Sequence, residues 1–557
     1  MHSPYFAYSF VSIRRSLETA ERLAAKKRFT LSPLFKVYVF TVLILLRSAS
    51  FAADTNWLNI KNFGAKGDGK TIDTKAINDA IDAASKAGGG TVYFPAGTYA
   101  SYSIHLQSNI SLFLDQGCTL LAAEVGEGGK YDEAEPGAGN AYQDYGHSHW
   151  HNSLIWGENL ENVSILGTGT IYGKGLSRGF YETDHWERIG VNPGHLMVEG
   201  SGNKAIALKL CRNVILKDFT ILYGGHFGIL ATGVDNLTID NLKIDTNRDG
   251  MDIDCCQNVR ISNCTVNSPY DDAICLKSSF ALNYARPTQN VTITNCQVSG
   301  YDLGTFINGT YQRKEFSQVP DQEGPAGRIK FGTESNGGFK NITISNCVFE
   351  YCRGLALETV DGALLEDIAV SNITMRDIVN SPFFLRLGAR MRGPNGVAVG
   401  DLRRVMISNV MVYNADSHFS SIISGVPGND IEDVKFNNIR IFYRPIDSPA
   451  SKIQTVVPEY EKSYPEPQKF GVLPAYGFFI RHVKNLELNN VEISFMGKET
   501  RTAIIMDDVK GADLFNVKAQ KATNAQTIVL KNVQNITLDK VKEVSNQVIE
   551  KSSLIKL

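Results

Sequence analysis

Residues 236–263 read NLTIDNLKIDTNRDGMDIDCCQNVRISN, and two copies of one six-residue pattern, NLTIDN from Asn236 and NVRISN from Asn258, bracket the stretch. The pattern returns as NVTITN from Asn290, NITISN from Asn341, DIAVSN from Asp367, RVMISN from Arg404, DVKFNN from Asp433 and NLELNN from Asn485. Each copy alternates apolar with polar residues, the period of a short strand with one buried face. Five positions after each start stands an Asn: Asn241, Asn263, Asn295, Asn346, Asn372, Asn409, Asn438 and Asn490. Asn tolerates left-handed backbone, so it marks a turn. Looser copies begin at Asn162, Asn213, Asp513 and Asn535. The starts at Asn213, Asn236 and Asn258 are 23 and 22 residues apart, while other intervals reach 51 and 52. A minimal coil of that length with variable insertions is a solenoid.

A right-handed parallel β-helix meets these conditions, with three short strands per coil and equal positions stacked into ladders roughly 4.8 Å apart. Cys264, Cys296 and Cys347 each lie six residues after a pattern start, as rungs of one apolar ladder would. A leucine-rich repeat lacks its consensus here, and a propeller requires more even blades. The expected class is therefore all-β, one solenoid over residues 53–557. Ala76, Ile77, Ala80, Ile81 and Ala84 recur at helical spacing between Asp73 and Ala87, and Gly88 to Gly90 stop the run. This predicts an N-terminal helix that caps the first open coil and hides its strand edge.

Composition agrees with an ordered chain of 557 residues: 43% hydrophobic, 20% charged, 49 Gly and 18 Pro. With 56 Lys plus Arg against 58 Asp plus Glu, no basic field exists to hold nucleic acid or an anionic lipid surface. Cys118, Cys211, Cys255, Cys256, Cys264, Cys275, Cys296, Cys347 and Cys352 include no CxxC pair, which argues against a zinc knuckle and for buried apolar packing. Residues 1–52 read as a leader: Arg14, Arg15, Lys26, Lys27, Arg28 and Lys36 precede an apolar run from Val37 to Leu46, and small residues follow up to Ala53. Ten apolar residues are too few to span a bilayer, so export to the periplasm or cell exterior is expected, without a transmembrane anchor.

Thirteen residues after Asn213, Asn236 and Asn258 stand His226, Asp249 and Asp271, the last followed by Asp272. Three consecutive coils thus present His, Asp and Asp at one phase. Stacked carboxylates resist ionising together, so one pKa is forced upward. Such a pair suits acid/base work at a glycosidic bond, where one carboxyl donates a proton and another acts on water.

NRDGMD around Asp249, YDDAICLKS around Asp271 and Asp272, FGAKGDGKTIDTKAINDAI from Phe63 and GGGTVYFPAGTY from Gly88 resemble glycoside hydrolase family 28, the polygalacturonases and rhamnogalacturonases. The likeness runs from about Phe63 to Asn372. It implies a pectin-lyase-like helix, a pectic polysaccharide or oligosaccharide as substrate, and no cofactor or metal. The family's Asn-Thr-Asp motif falls on Asn247, Arg248 and Asp249, with Arg in place of Thr. The resemblance implies Asp271 as general acid, Asp249 and Asp272 activating water, and hydrolysis with inversion. Lys277 matches a position where bacterial members also carry Lys, and with His226 and Asn247 it is assigned to substrate binding.

Two departures stand out. Where the family has Gly-His-Gly, this chain has Ala326, Gly327 and Arg328, and where the family has Arg-Ile-Lys, it has Ala356, Leu357 and Glu358. The string Arg328, Ile329, Lys330 comes too early in the repeat to be that motif. Loss of two cations disfavours plain endo-cleavage of polygalacturonan and favours exo-action on a mixed pectic glycan. Arg386, Arg390 and Arg392 are candidates to restore positive charge, the first two as substrate-binding groups. His147, His149 and His151 stand at alternate positions beside Trp150; on a strand they would share one face, in structural roles, as a sugar subsite with Trp150 for stacking, or as a zinc triad. The sequons at Asn308 and Asn341 decide nothing. A β-helix lyase or epimerase and a non-catalytic glycan-binding solenoid are the rival readings.

Overall fold

The computed structural model describes residues 57–126, 128–136, 142–143, 146–178, 197–313, 325–446 and 450–557. The leader expected at 1–52 lies outside them. Residues 58–557 form one unit, a solenoid of parallel strands. Its coils repeat as predicted: a strand such as Asp249–Asp254, the patterned strand Gln257–Ser262, and a short third strand Thr265–Asn267. Each pairs in parallel with its counterpart one coil on, Val259 with Val291 and Val266 with Val298. Later coils fuse the second and third strands, as in Leu402–Ala415 and Ile431–Tyr443.

The Asn pattern has a clear structural cause. Both the first and the sixth residue of the motif adopt left-handed backbone, with φ of 52° at Asn236 and 56° at Asn241, and the same holds down the stack. The first-position amides form an exposed ladder: Asn213 Nδ2 donates to Asn162 Oδ1, Asn236 to Asn213, Asn290 to Asn258 and Asn341 to Asn290, at 2.8–3.0 Å. Between those corners the apolar residues point inward. Ile253, Leu276, Phe331, Leu357 and Leu385 make one continuous buried rung, each side chain contributing about 1.5–3 kcal/mol by leaving water. All nine cysteines are buried and unbridged, as the apolar reading requires.

The N-terminal cap is the helix Thr74–Lys86, which buries Ile77, Ala80, Ile81 and Ala84. It ends where the Gly89 N–H reaches back to the Ala84 carbonyl, with Gly89 at φ 127°. Asp73 does not cap its own helix; it accepts from the Lys66 and Gly67 N–H groups at 2.7 and 3.0 Å, pinning the preceding turn. At the other end the chain reverses, and Gln547–Lys556 pairs antiparallel with Ile528–Asp539, covering the last edge. No helix among the described residues is long and apolar enough to cross a membrane.

Candidate active site

The site lies on the outer face of the sheet built from Phe227–Thr232, Asp249–Asp254, Ile274–Ser278, Ile329–Ser335, Leu355–Thr359 and Phe383–Leu387. Its register corrects the thirteen-residue ruler by one position. Phe227, not His226, pairs with Asp249, and Met251 pairs with Ile274, which sets Asp249 beside Asp272 rather than Asp271. Between equivalent positions of the ladder, four residues precede Phe227 (223–226) and Asp272 (268–271), against three before Asp249 (246–248). His226 and Asp271 therefore leave from the turns, in phase with Arg248.

The three acids nevertheless converge. Asp249, Asp271 and Asp272 each offer one oxygen within 4.8 Å of the other two. The Asp272 N–H donates to Asp249 Oδ1 at 3.2 Å and to Asp271 Oδ1 at 3.0 Å, tying the group together. Burial pushes the Asp249 carboxyl well above the usual carboxylate range, and the charges of Asp252 and Asp271 push the same way. Burial acts on Asp272 in the same sense, but Lys330 and Arg328 outweigh it and hold that carboxyl well below its ordinary value. Asp271, 27% exposed, pairs with Arg248 Nη2 at 2.6 Å. The residue that replaces the family's Thr thus touches the expected acid.

Arg328 and Lys330 are what the sequence reading passed over. Counted by motif they come too early; counted by coil, Lys330 stands on the strand Ile329–Ser335 next to Asp272 and Arg328 just before it, at alternate positions. Arg328 Nε lies 2.8 Å from Asp272 Oδ1 and Lys330 Nζ 3.4 Å from Oδ2. The expectation that the site has lost its cations is overturned, since they come from the coil between Asp272 and Glu358. Glu358 faces them, with Oε2 3.9 Å from Lys330, and burial raises its pKa to about 7 against the pull of Lys330 and Arg328.

Lys277 lies in the same groove, 3.0 Å from Glu334 and 3.7 Å from Asp252. Burial opposes its charge, but those carboxylates keep it protonated far above the usual lysine range. Asn247 is buried; in the orientation that satisfies both ends of its amide, it donates to the Gly225 carbonyl at 3.2 Å and accepts from Arg178 Nε at 2.8 Å. It braces a turn. His226 Nδ1 meets the Arg178 carbonyl at 2.6 Å, and burial together with Arg248 holds the imidazole neutral.

Arg386 and Arg390 do other work than expected. Arg386 spends its donors on the protein: Ser424 Oγ at 2.8 Å and the carbonyls of Gly425, Glu459 and Tyr460 at 2.9, 2.8 and 3.2 Å. Arg390 clasps Asp361 with Nε and Nη2 at 3.0 and 2.5 Å. The three histidines do not share a face, because residues 146–154 form turns rather than a strand. His147 approaches Asp252 at 3.3 Å, while His151 stacks on Trp156 with ring centroids 3.9 Å apart. Trp150 is buried, donates to Thr232 Oγ1 at 3.1 Å and carries Lys209 over its ring, which leaves no open stacking platform. His147, Asp249 and Asp252 do offer ligand atoms within 4.8 Å of one another, but the Lys277 ammonium already supplies a cation there.

The insertion between Asp433 and Asn485 forms a strap over this face. Glu466 reaches Arg328 at 2.6 Å and Arg353 at 3.2 Å, and the Tyr464 hydroxyl lies 3.3 Å from Lys330. The Ala389 N–H donates to the Glu461 carbonyl at 2.7 Å. Phe470 and Leu473 anchor the strap in an apolar cluster with Ala356, Phe384, Ile422 and Phe479. The groove is thereby walled off a single coil beyond Asp272.

Fold and site together define the class: a right-handed parallel β-helix with a carboxylate cluster on its outer face. Comparison with known proteins agrees. Residues 57–187 match the family described as rhamnogalacturonase A/epimerase, pectate lyase-like, and residues 197–319 match the right-handed β-helix region. A "Probable polygalacturonase" of Vitis vinifera is 28% identical over 347 residues, 58% of this chain and 65% of that protein, so the chain spans just under two thirds of that relative. An "Exo-poly-alpha-D-galacturonosidase" of Dickeya chrysanthemi is 23% identical over 72% of this chain and 75% of its own. The family 28 exopolygalacturonase of Yersinia enterocolitica shares the fold, with a TM-score of 0.55 at 19% identity over 83% of this chain and 79% of that one.

Proposed function

We propose that this protein is an exported, exo-acting glycoside hydrolase of family 28 type, cleaving a galacturonate-containing pectic glycan with inversion. The observation that carries the reading is the convergence of three carboxyls, Asp249, Asp271 and Asp272, each with an oxygen within 4.8 Å of the other two, with Arg328 and Lys330 bearing on Asp272; burial pushes Asp249 well above the usual carboxylate range while the two cations hold Asp272 well below it. Such a group keeps one proton in play among coupled sites. A sugar laid over Asp271 displaces Arg248 and sets the glycosidic oxygen against that carboxyl, which takes over the proton shared with Asp249. Asp271, the most exposed of the three, then protonates the leaving glycosidic oxygen. Water between Asp249 and Asp272 attacks the anomeric carbon as Asp272 takes its proton, and the product gains a reducing end.

The strap supports exo-action, because a groove blocked beside Glu466 and Tyr464 accepts a chain end and not a chain interior. Inversion rests on the family likeness; carboxylates this close otherwise approach the retaining spacing of about 5–5.5 Å. Lys277 and Lys330 are both kept charged by their carboxylate neighbours, so neither serves as the base of a lyase-type β-elimination. Reducing-end release from pectic oligosaccharides, with proton NMR of the first-formed anomer, tests the reading. Turnover surviving intact in Asp271→Asn, or binding with no new reducing end, overturns it.

A further inference from the structure

The strap buries Pro465, Glu466 and Phe470, yet it leaves Tyr464 41% exposed beside the acids. The residue is not loose for that. The Lys330 ammonium and the Arg390 guanidinium lie 5.3 and 5.9 Å from its ring centroid, and Glu466, two residues on, is fixed to Arg328 and Arg353. The Tyr464 hydroxyl accepts from Lys330 Nζ at 3.3 Å, and the same ammonium lies 3.4 Å from Asp272 Oδ2. A single cation therefore separates the phenol from the carboxylate cluster.

An ammonium only donates, so the hydroxyl keeps its own proton to give. Among the described residues no acceptor takes it. Although much of the residue is exposed, its hydroxyl end is desolvated; that desolvation, opposed by Lys330 and helped by the charges of Glu466 and Asp271, pushes the phenol up to about 12. The proton is thus present at any pH at which carboxyl groups do acid/base work. An exposed aromatic ring with a free hydroxyl proton offers a sugar an apolar face for its C–H groups and a donor for one of its oxygens.

Resting on the hydrolase reading above, we propose that Tyr464 is a substrate-binding residue: the end sugar packs against its ring and accepts a hydrogen bond from its hydroxyl. The strap then grips the chain end as well as stopping it.

Tyr464→Phe keeps the ring and removes the donor, and Tyr464→Ala removes both. With tri-, tetra- and hexagalacturonate, kcat/KM should fall about fivefold in the first variant and at least about 30-fold in the second, through KM and not kcat. The factor should be the same at every length, because the contact is confined to the end unit. A residue that only braces the strap would behave differently: its loss would loosen the segment, giving faster limited proteolysis around residues 457–466 and internal cleavage of hexagalacturonate. Wild-type KM in Tyr464→Phe, a loss confined to kcat, a factor that changes with chain length, or a loss accompanied by internal cleavage overturns the proposal. If the wild type releases no reducing ends from any of the three, the hydrolase reading fails, and isothermal titration of trigalacturonate decides the contact. Weaker binding to Tyr464→Phe than to wild type, and weaker still to Tyr464→Ala, sustains it; equal binding, or none to the wild type, ends it.

Discussion

Arg328→Met strikes the group on which the carboxylate cluster depends. In the wild type the guanidinium, 2% exposed, gives Nε to Asp272 at 2.8 Å and Nη2 to Glu466 at 2.6 Å. Removing one partner from a buried ion pair costs about 3–5 kcal/mol, since it strands the other charge. Two charges are stranded here, yet each keeps a second cation, Asp272 in Lys330 at 3.4 Å and Glu466 in Arg353 at 3.2 Å. The lower figure, about 3 kcal/mol, is therefore expected. Denaturant unfolding followed by circular dichroism at pH 7 measures it. The sign of the pH dependence follows from Asp272, whose folded pKa is depressed. Its stabilisation is complete above the ordinary value of 3.8 and fades as the pH falls toward the lower folded value. The gap between wild type and variant should be full above pH 4 and narrow below it. A variant within about 0.5 kcal/mol of wild type at pH 7, the scatter of ordinary surface substitutions, would refute the argument.

Asp271→Asn should lower kcat by about 10²–10⁴-fold and leave the unfolding midpoint unchanged, its side chain being partly exposed at the groove mouth. Glu358, raised to about 7 from 4.5, costs stability as the pH climbs through that interval, so unfolding curves of the wild type and Glu358→Gln should coincide below pH 4.5 and separate toward pH 8, the variant more stable. Asn290→Val should cost about 2 kcal/mol in unfolding free energy, because a branched side chain enters left-handed backbone at φ 56° and the bonds to Asn258 and Asn341 both go. Arg386→Met should loosen the strap by about 2 kcal/mol, read as roughly 30-fold faster limited proteolysis around residues 457–466.

The repeat was legible because its marker is local. An Asn at a fixed interval reports a backbone conformation that the next residue along the chain does not influence, and Asn236, Asn258, Asn290 and Asn341 accordingly predict the stack. Asp249, Asp271 and Asp272 were legible as a group because one coil length separates them. Their exact phase was not, since three residues (246–248) separate Asp245 from Asp249 where four separate the equivalent positions of the neighbouring coils, and nothing in the composition shows that. Arg328 and Lys330 could have been found by asking which coil follows Asp272 rather than which motif the string matches. Glu466 carries no such signal. It sits 138 residues from Arg328, and only the length of the insertion between Asp433 and Asn485 hints that this segment returns. Arg386 and Arg390 were misjudged for a related reason: sequence shows a cation but not the carbonyls of Glu459 and Tyr460, or the Asp361 carboxylate, that absorb it.

That long return has a consequence for how the molecule is assembled. Coils of a solenoid can lay down one upon another as the chain emerges, each needing only its predecessor. Asp249, Asp271 and Asp272 belong to early layers, yet the wall beside them arrives with Tyr464 and Glu466, after the layers through Ser421–Ser424 exist to anchor it. The groove is thus finished late in synthesis, and a chain interrupted before residue 460 carries these acids without the wall that Tyr464 and Glu466 supply.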